Sequence, residues 1–119
     1  MPMRITSDLW VAAYLRTRNA KHKPSVLMRR GASEAGAIFL RVDRLDGTFD
    51  LYQPASQFAY RDEHIARGER LFEPCLQGVN VFDVMDKIEA EEKFDSDFWL
   101  LETECPEGSH DLILADEMD

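Results

Sequence analysis

Apolar and polar positions change period along the chain, and each change marks an element. Thr6 and Ser7 offer an N-cap, Asp8 complements the positive pole of a helix, and Leu9 to Ala20 contains no Gly or Pro, which predicts a first helix. On a 3.6-residue wheel Leu9, Trp10, Ala13, Tyr14 and Ala20 share a broad arc, while Arg16, Arg18 and Lys21 enter only in the later turns. The expectation is a buried start and a solvated end, stopped by Pro24. From Ser25 the period becomes two: Val26 and Met28 face one way and Leu27 the other, until the stretch Gly31 to Gly36 breaks the run as a hairpin loop. A second strand follows from Ala37 to Asp43, with Ile38, Leu40 and Val42 on one face. A third runs from Thr48 to Gln53.

Cross-strand charge selects a register for the hairpin between these last two strands. A two-residue Asp46-Gly47 loop would set Asp43 opposite Asp50, two like charges in contact. A four-residue loop, Arg44 to Gly47, instead sets Arg41 opposite Asp50, Leu40 opposite Leu51, Phe39 opposite Tyr52 and Val42 opposite Phe49. The second is the register expected, with Gly47 at positive φ.

Gln53 to Gly68 lacks sustained periodicity and reads as a long, partly ordered connection. Arg70 to Gln77 reads as a strand that Pro74 confines to an edge or a bulge. Asn80 caps a second helix, Val81 to Phe94, whose apolar stripe is Val81, Val84, Met85 and Ile88 and whose other faces are acidic. Phe98 to Cys105 is a strand apolar on both faces, Pro106 to Ser109 a turn, and His110 to Leu114 a short edge strand. The fold class expected is α+β in one domain spanning 1–119. It has an antiparallel sheet of about five strands, a three-stranded meander plus two later strands, and two helices packed on one face; residues 115–119 form a solvated acidic tail.

A chain of 119 residues that is 45% hydrophobic and 31% charged has the composition of a globular domain with one core. No apolar run approaches the roughly 20 residues of a membrane helix, and Leu9 to Leu15 lacks the flanks of a signal peptide, so a cytoplasmic protein with no membrane partner is expected. Charge changes the picture more. Residues 1–30 carry seven Lys or Arg against one acid, Asp8, a balance of +6, whereas the other 89 residues carry −15. Such polarity can orient a partner or be neutralised inside the fold.

Candidate chemistry is sparse. Gly31 to Gly36 superficially resembles a phosphate loop, but no Lys-Ser or Lys-Thr follows and Glu34 would repel phosphate. Asp43, Asp46 and Asp50 could serve magnesium, yet turn and cross-strand roles account for them. A zinc site from Cys75, Cys105, His110 and His64 lacks the tight ligand pairs of structural zinc, so no metal or cofactor is expected and reduced thiols are the default. His64 and His110 titrate near neutrality and could do acid or base work, but neither stands in a known motif.

Three strings carry a family likeness: Ser7-Asp8-Leu9-Trp10-Val11, Ala35-Gly36-Ala37-Ile38-Phe39, and Val42-Asp43-Arg44-Leu45-Asp46-Gly47-Thr48 followed by Asp50-Leu51-Tyr52. Through these the chain resembles the bacterial domain-of-unknown-function family 1491. That resemblance implies a small single-domain protein and brings no established activity, ligand or catalytic residue.

The function expected is a small non-enzymatic interaction or regulatory module with a basic N-terminal and an acidic C-terminal surface. Arg16, Arg18, Lys21, Lys23, Arg29 and Arg30 are its candidate contacts, for an acidic protein or a second copy of the chain. A small enzyme with an unmotifed site built from histidine and carboxylate is the alternative. Weak RNA binding ranks third, because net charge −9 opposes phosphate contacts.

Overall fold

The computed structural model describes residues 5–115. In chain order it contains α1 (Ser7–Ala20), β1 (Ser25–Arg29), β2 (Ile38–Asp43), β3 (Phe49–Pro54), a 3₁₀ turn (Gln57–Ala59), α2 (Asp62–Arg67), β4 (Leu71–Val79), α3 (Val81–Glu92), β5 (Trp99–Glu104) and β6 (Ile113–Leu114). The α+β class holds. The sheet, however, has six strands in the order β1-β5-β2-β3-β4-β6, and it is mixed: β5 is antiparallel to β1 and parallel to β2, and β6 is parallel to β4.

The expected three-stranded meander is therefore opened. β1 and β2 run in opposite directions, as a hairpin would require, but β5 lies between them. Its alternation explains the placement: Trp99 and Leu101 join the cluster under α1, while Leu100, with Phe98 just ahead of the strand, joins the cluster under α3. A strand that is apolar on both faces gains most in the middle of a sheet. The two helices expected on one face consequently take opposite faces. Val11 and Tyr14 of α1 pack on Ile38, Leu40, Val42 and Tyr52, whereas Val84 of α3 packs on Phe39 and Leu51.

The β2–β3 register also differs from the expected one. Leu40 lies opposite Tyr52, Arg41 opposite Leu51, Val42 opposite Asp50 and Asp43 opposite Phe49, so the loop is Arg44–Thr48. One residue of slip exchanges every side chain between faces. The slip is favoured because Leu51 reaches the α3 cluster while the buried Asp50 finds partners of its own: Arg44 Nη1 at 2.9 Å and the Gly78 main-chain N–H at 2.8 Å both donate to it. Gly47 does take a positive φ of 90°. Pro74 lies in β4 beyond the residues that β6 pairs, in a stretch where the β3 pairing shifts.

The order in the connection from Gln53 to Gly68 comes from the 3₁₀ turn and α2. Of the expected acidic tail, residues 116–119 lie outside the described residues, and Ala115 donates its N–H to the Phe72 carbonyl.

The 31–36 stretch connects strands separated by β5, and it also serves α1. The Ser7 and Asp8 amides, orphaned at the start of α1, donate to the Glu34 and Ser33 carbonyls at 3.0 and 2.9 Å, and Ser7 Oγ donates to the Gly36 carbonyl. Main-chain carbonyls cap this helix in place of a Thr6 side chain, so these donors are unavailable to phosphate. The loop is anchored in turn by Trp99 Nε1, which donates to the Ala32 carbonyl at 2.8 Å. A Cβ at Gly31 would meet the Asp97 carbonyl oxygen at 2.5 Å. Gly31→Ala is thus expected to lower folding stability by about 1–3 kcal/mol in urea unfolding, since backbone must move to admit the methyl group.

Candidate interaction surfaces

Arg18 occupies the buried stripe of α1. Val11, Tyr14 and Arg18 share that stripe at i, i+3 and i+7, and all three are buried. A fully buried guanidinium needs partners, and Arg18 has several. Nε donates to Thr103 Oγ1 at 3.0 Å, Nη1 donates to Asp111 Oδ2 at 3.0 Å, and Nη2 donates to the Ser109 carbonyl at 2.9 Å. Ser25 Oγ bonds the same threonine oxygen at 2.7 Å. One side chain thus clamps α1, β1, β5 and the 109–111 loop together. Leu9 and Ala20, expected in the buried arc, are exposed, and the end expected to be wet holds the most buried cation of the helix.

The other candidate contacts divide. Lys21 shares Asp111 with Arg18 at 3.1 Å. Arg29 is held by Glu92 at 2.6 Å and by the Ser96 carbonyl, over the Phe98 ring. Arg30 is exposed and stacks over Trp99, Arg16 is exposed, and Lys23 is half-buried. Asn19 bonds Ser25 on β1, and Arg16 lies one turn earlier on that flank; Lys21 points the other way, toward Asp111. The six cations do not form one set: Arg18 is interior, Lys21 and Arg29 are ion-paired, and Arg16, Lys23 and Arg30 remain around β1.

Neither histidine is held as a base. His64 Nδ1 accepts the Arg61 main-chain N–H at 3.0 Å and thereby caps α2, while His110 Nδ1 accepts the Leu112 N–H at 2.9 Å. With Nδ1 accepting, the neutral ring carries its proton on Nε2 and has no lone pair to spare. His110 also packs on Tyr52, with ring centroids 4.6 Å apart, and Tyr14 Oη donates to its carbonyl. Burial, together with the nearby Arg18 charge, lowers the His110 pKa from its usual 6.5.

The zinc ligands weighed from sequence are not brought together: Cys75 packs in the cluster under α3 and Cys105 in the one under α1. Asp43, Asp46 and Asp50 also separate, each serving turn or buried hydrogen bonds. The structure gathers a different trio. Asp43, Glu102 and Glu104 bring carboxylate oxygens within 4.8 Å of one another, and Arg41 Nε donates to Glu102 at 2.7 Å. This trio arises from the parallel β2–β5 register, which sets Asp43 beside Glu104 and Arg41 beside Glu102. No local motif announces it.

The main surface feature lies on the α3 side of the sheet. α3 packs on β3 and β4, and beside it a groove of about 340 Å³ is lined by Met28, Leu100, Val84, Met85, Ile88, Arg41 and Glu89. Met28 and Met85 are 45% and 47% exposed. Val26, two residues before Met28 on the same strand face, is 55% exposed, and Phe82, one turn before Met85, is 69% exposed. Four large apolar side chains therefore open to solvent on one face, the kind of patch that marks an interaction site.

Fold and surface together define a small α+β domain whose mixed sheet is covered unequally on its two faces. The family described as "Protein of unknown function (DUF1491)" matches residues 5–113, and the chain belongs to it. A solution structure of an A. tumefaciens protein is 39% identical, with 98% of this chain and 99% of that one covered and a TM-score of 0.81. The crystal structure of a DUF1491 family protein from Caulobacter crescentus CB15 is 26% identical, with coverage of 96% and 100% and a TM-score of 0.74. An NMR structure of a DUF1491 family protein from that source is 27% identical, with coverage of 97% and 100% and a TM-score of 0.74. No curated protein matches the chain. The resemblance read from the three sequence strings is borne out, and the function of the family is unknown. Among the described residues no helix is long and apolar enough to cross a membrane.

Two outcomes follow from the clamp. Arg18→Met strands Asp111 and Thr103 and is expected to lower stability by about 3–5 kcal/mol in urea unfolding; Arg18→Lys recovers little, because an ammonium lacks the planar fork that meets several acceptors at once. Acid should also destabilise the fold. The unfolded chain protonates His110 near 6.5 while the folded chain resists, so stability is full above that value and falls as pH drops toward the folded-state pKa. Arg18 holds Asp111 below its usual 3.8, so that contribution is lost only at still lower pH. The melting temperature is expected to decline as pH falls below about 6.5, and His110→Asn, which keeps an acceptor for the Leu112 amide, should flatten that decline.

Proposed function

We propose that this protein is a small non-enzymatic interaction module. The observation that carries the reading is the apolar groove between α3 and β1, where Met28 and Met85 stand half open to solvent and are flanked by the exposed Val26 of the same strand and Phe82 of the same helix. Fully burying a side chain of this size is worth about 1.5–3 kcal/mol, and the fold forgoes a substantial part of that at these four positions. The charged residues lining the groove are Glu89 and Arg41, and the two histidines weighed as catalysts hold loop and helix ends.

Electrostatics shape the partner. Arg16, Lys23 and Arg30 lie outside the groove lining and suit acidic side chains elsewhere on a protein partner or on a second copy, whereas Arg18, Lys21 and Arg29 act within the fold. Nucleic acid fits poorly, since the chain carries −9 overall. A cytoplasmic setting is consistent with two free thiols, Cys75 partly buried and Cys105 fully buried, on opposite faces of the sheet.

Affinity capture tests this reading. The wild-type chain used as bait should retain a specific protein that is lost with Met28→Lys/Met85→Lys, a change at two exposed positions that leaves circular dichroism and melting temperature intact. Equal recovery on both baits would refute an interaction through the groove.

A further inference from the structure

We infer that the groove between α3 and β1 receives an amphipathic, positively charged helix from a partner protein, an inference that rests on the interaction reading above. Exposure argues first. On this face Phe39 of β2 and Leu100 of β5 are already buried in one cluster with Val84 and Ile88 of α3, so the open ground is the flank between α3 and β1, where Met28 and Met85 line the groove. A helix can rest on that flank through a single apolar stripe.

The lining fits the apolar face of such a helix. Met28 and Leu100 form the floor and Val84, Met85 and Ile88 the wall, with Val26 and Phe82 extending the surface on either side. Apolar residues at i, i+3 or i+4, and i+7 would enter it, and two methionines adapt to such knobs.

Charge selects the sign of the flanks. Asp43, Glu102 and Glu104 alternate along their strands with Val42, Leu101 and Thr103, which point to the α1 side, so the three carboxylates stand on the groove face. Glu89 lies on the groove wall. Arg41 offsets one of these four charges and leaves the rim negative. Lys or Arg flanking an apolar stripe complements that rim, and acidic flanks oppose it.

Strand addition at the β1 edge is the competing mode, and the edge is guarded against it. The Asn19 side-chain amide holds both the N–H and the carbonyl of Ser25, and the β1–β5 pairing is broken between Leu27 and Arg29 by a bulge.

The test uses two fluorescein-labelled designed peptides of about four helical turns, one alternating Leu and Lys on a helical pattern and the other substituting Glu for every Lys. Fluorescence anisotropy should show the Leu-Lys peptide binding and the Leu-Glu peptide failing to bind. Met28→Lys/Met85→Lys should weaken binding at least about tenfold. Leu9→Lys/Phe58→Lys adds the same charge at exposed apolar positions away from the groove and should change binding by no more than about twofold. Equal losses in the two double variants, equal binding of the two peptides, or no binding of either would overturn the inference. Self-association that Met28→Lys/Met85→Lys abolishes would also overturn it, assigning the groove to a second copy. If affinity capture maps to Met28 and Met85 while neither peptide binds, the charged helix is wrong and the interaction reading stands.

Discussion

The position of β5 governs this fold. Its six residues carry large apolar side chains on both faces at the N-terminal end, and a strand of that kind is stable only where both faces are covered. Insertion between β1 and β2 supplies that cover, with α1 on one side and α3 on the other. It also carries Thr103 to the point where Arg18 of α1 and Ser25 of β1 meet it. The clamp and the three-layer arrangement are both consequences of that one insertion.

A second consequence falls on the surface. Moving β1 outward by one strand spacing, about 4.8 Å, widens the sheet beyond what α3 spans from its seat on β3 and β4. On the other face α1 contacts β1 directly, and Asn19 ties its last turn to Ser25. The unequal cover leaves Val26 and Met28 open on the α3 side and Leu27 partly buried on the α1 side. The parallel β2–β5 pairing meanwhile places Asp43, Glu102 and Glu104 together on the open face. An apolar strip with an acidic rim is thus built by topology.

Local elements were legible because their signals are local. The Asn80 cap, the Val84 and Ile88 stripe of α3, the alternation of β2 and the positive φ of Gly47 each depend on a few adjacent residues. The α+β class and the family likeness were readable on the same scale. Strand order was not, because nothing in Phe98 to Cys105 names its neighbours; only its two-faced apolarity argued for a central place. Charge across the turn favours the other hairpin register, whereas the deciding terms are the burial of Leu51 and the long-range partners of Asp50. By sequence position alone Arg18 reads as a wet cation. The signal against that reading was present, since it shares a helical stripe with Val11 and Tyr14 and so had to be buried with acceptors waiting. The carboxylate trio had no signal in the sequence at all, being assembled across sixty residues by the parallel pairing.

The opening +6 segment and the acidic remainder likewise turn out to be partly one system. Arg18, Lys21 and Arg29 meet Asp111 and Glu92, which removes half of the six proposed contacts from any free basic surface and shifts attention to the α3 face. The most direct test of that account is solvent paramagnetic relaxation of the methionine methyl groups in the isolated, isotope-labelled chain. A soluble nitroxide should broaden the Met28 and Met85 methyl resonances strongly while the buried Leu101 methyls remain sharp. Met28 and Met85 signals as protected as those of Leu101 would mean that the strip is already covered, and would contradict the account.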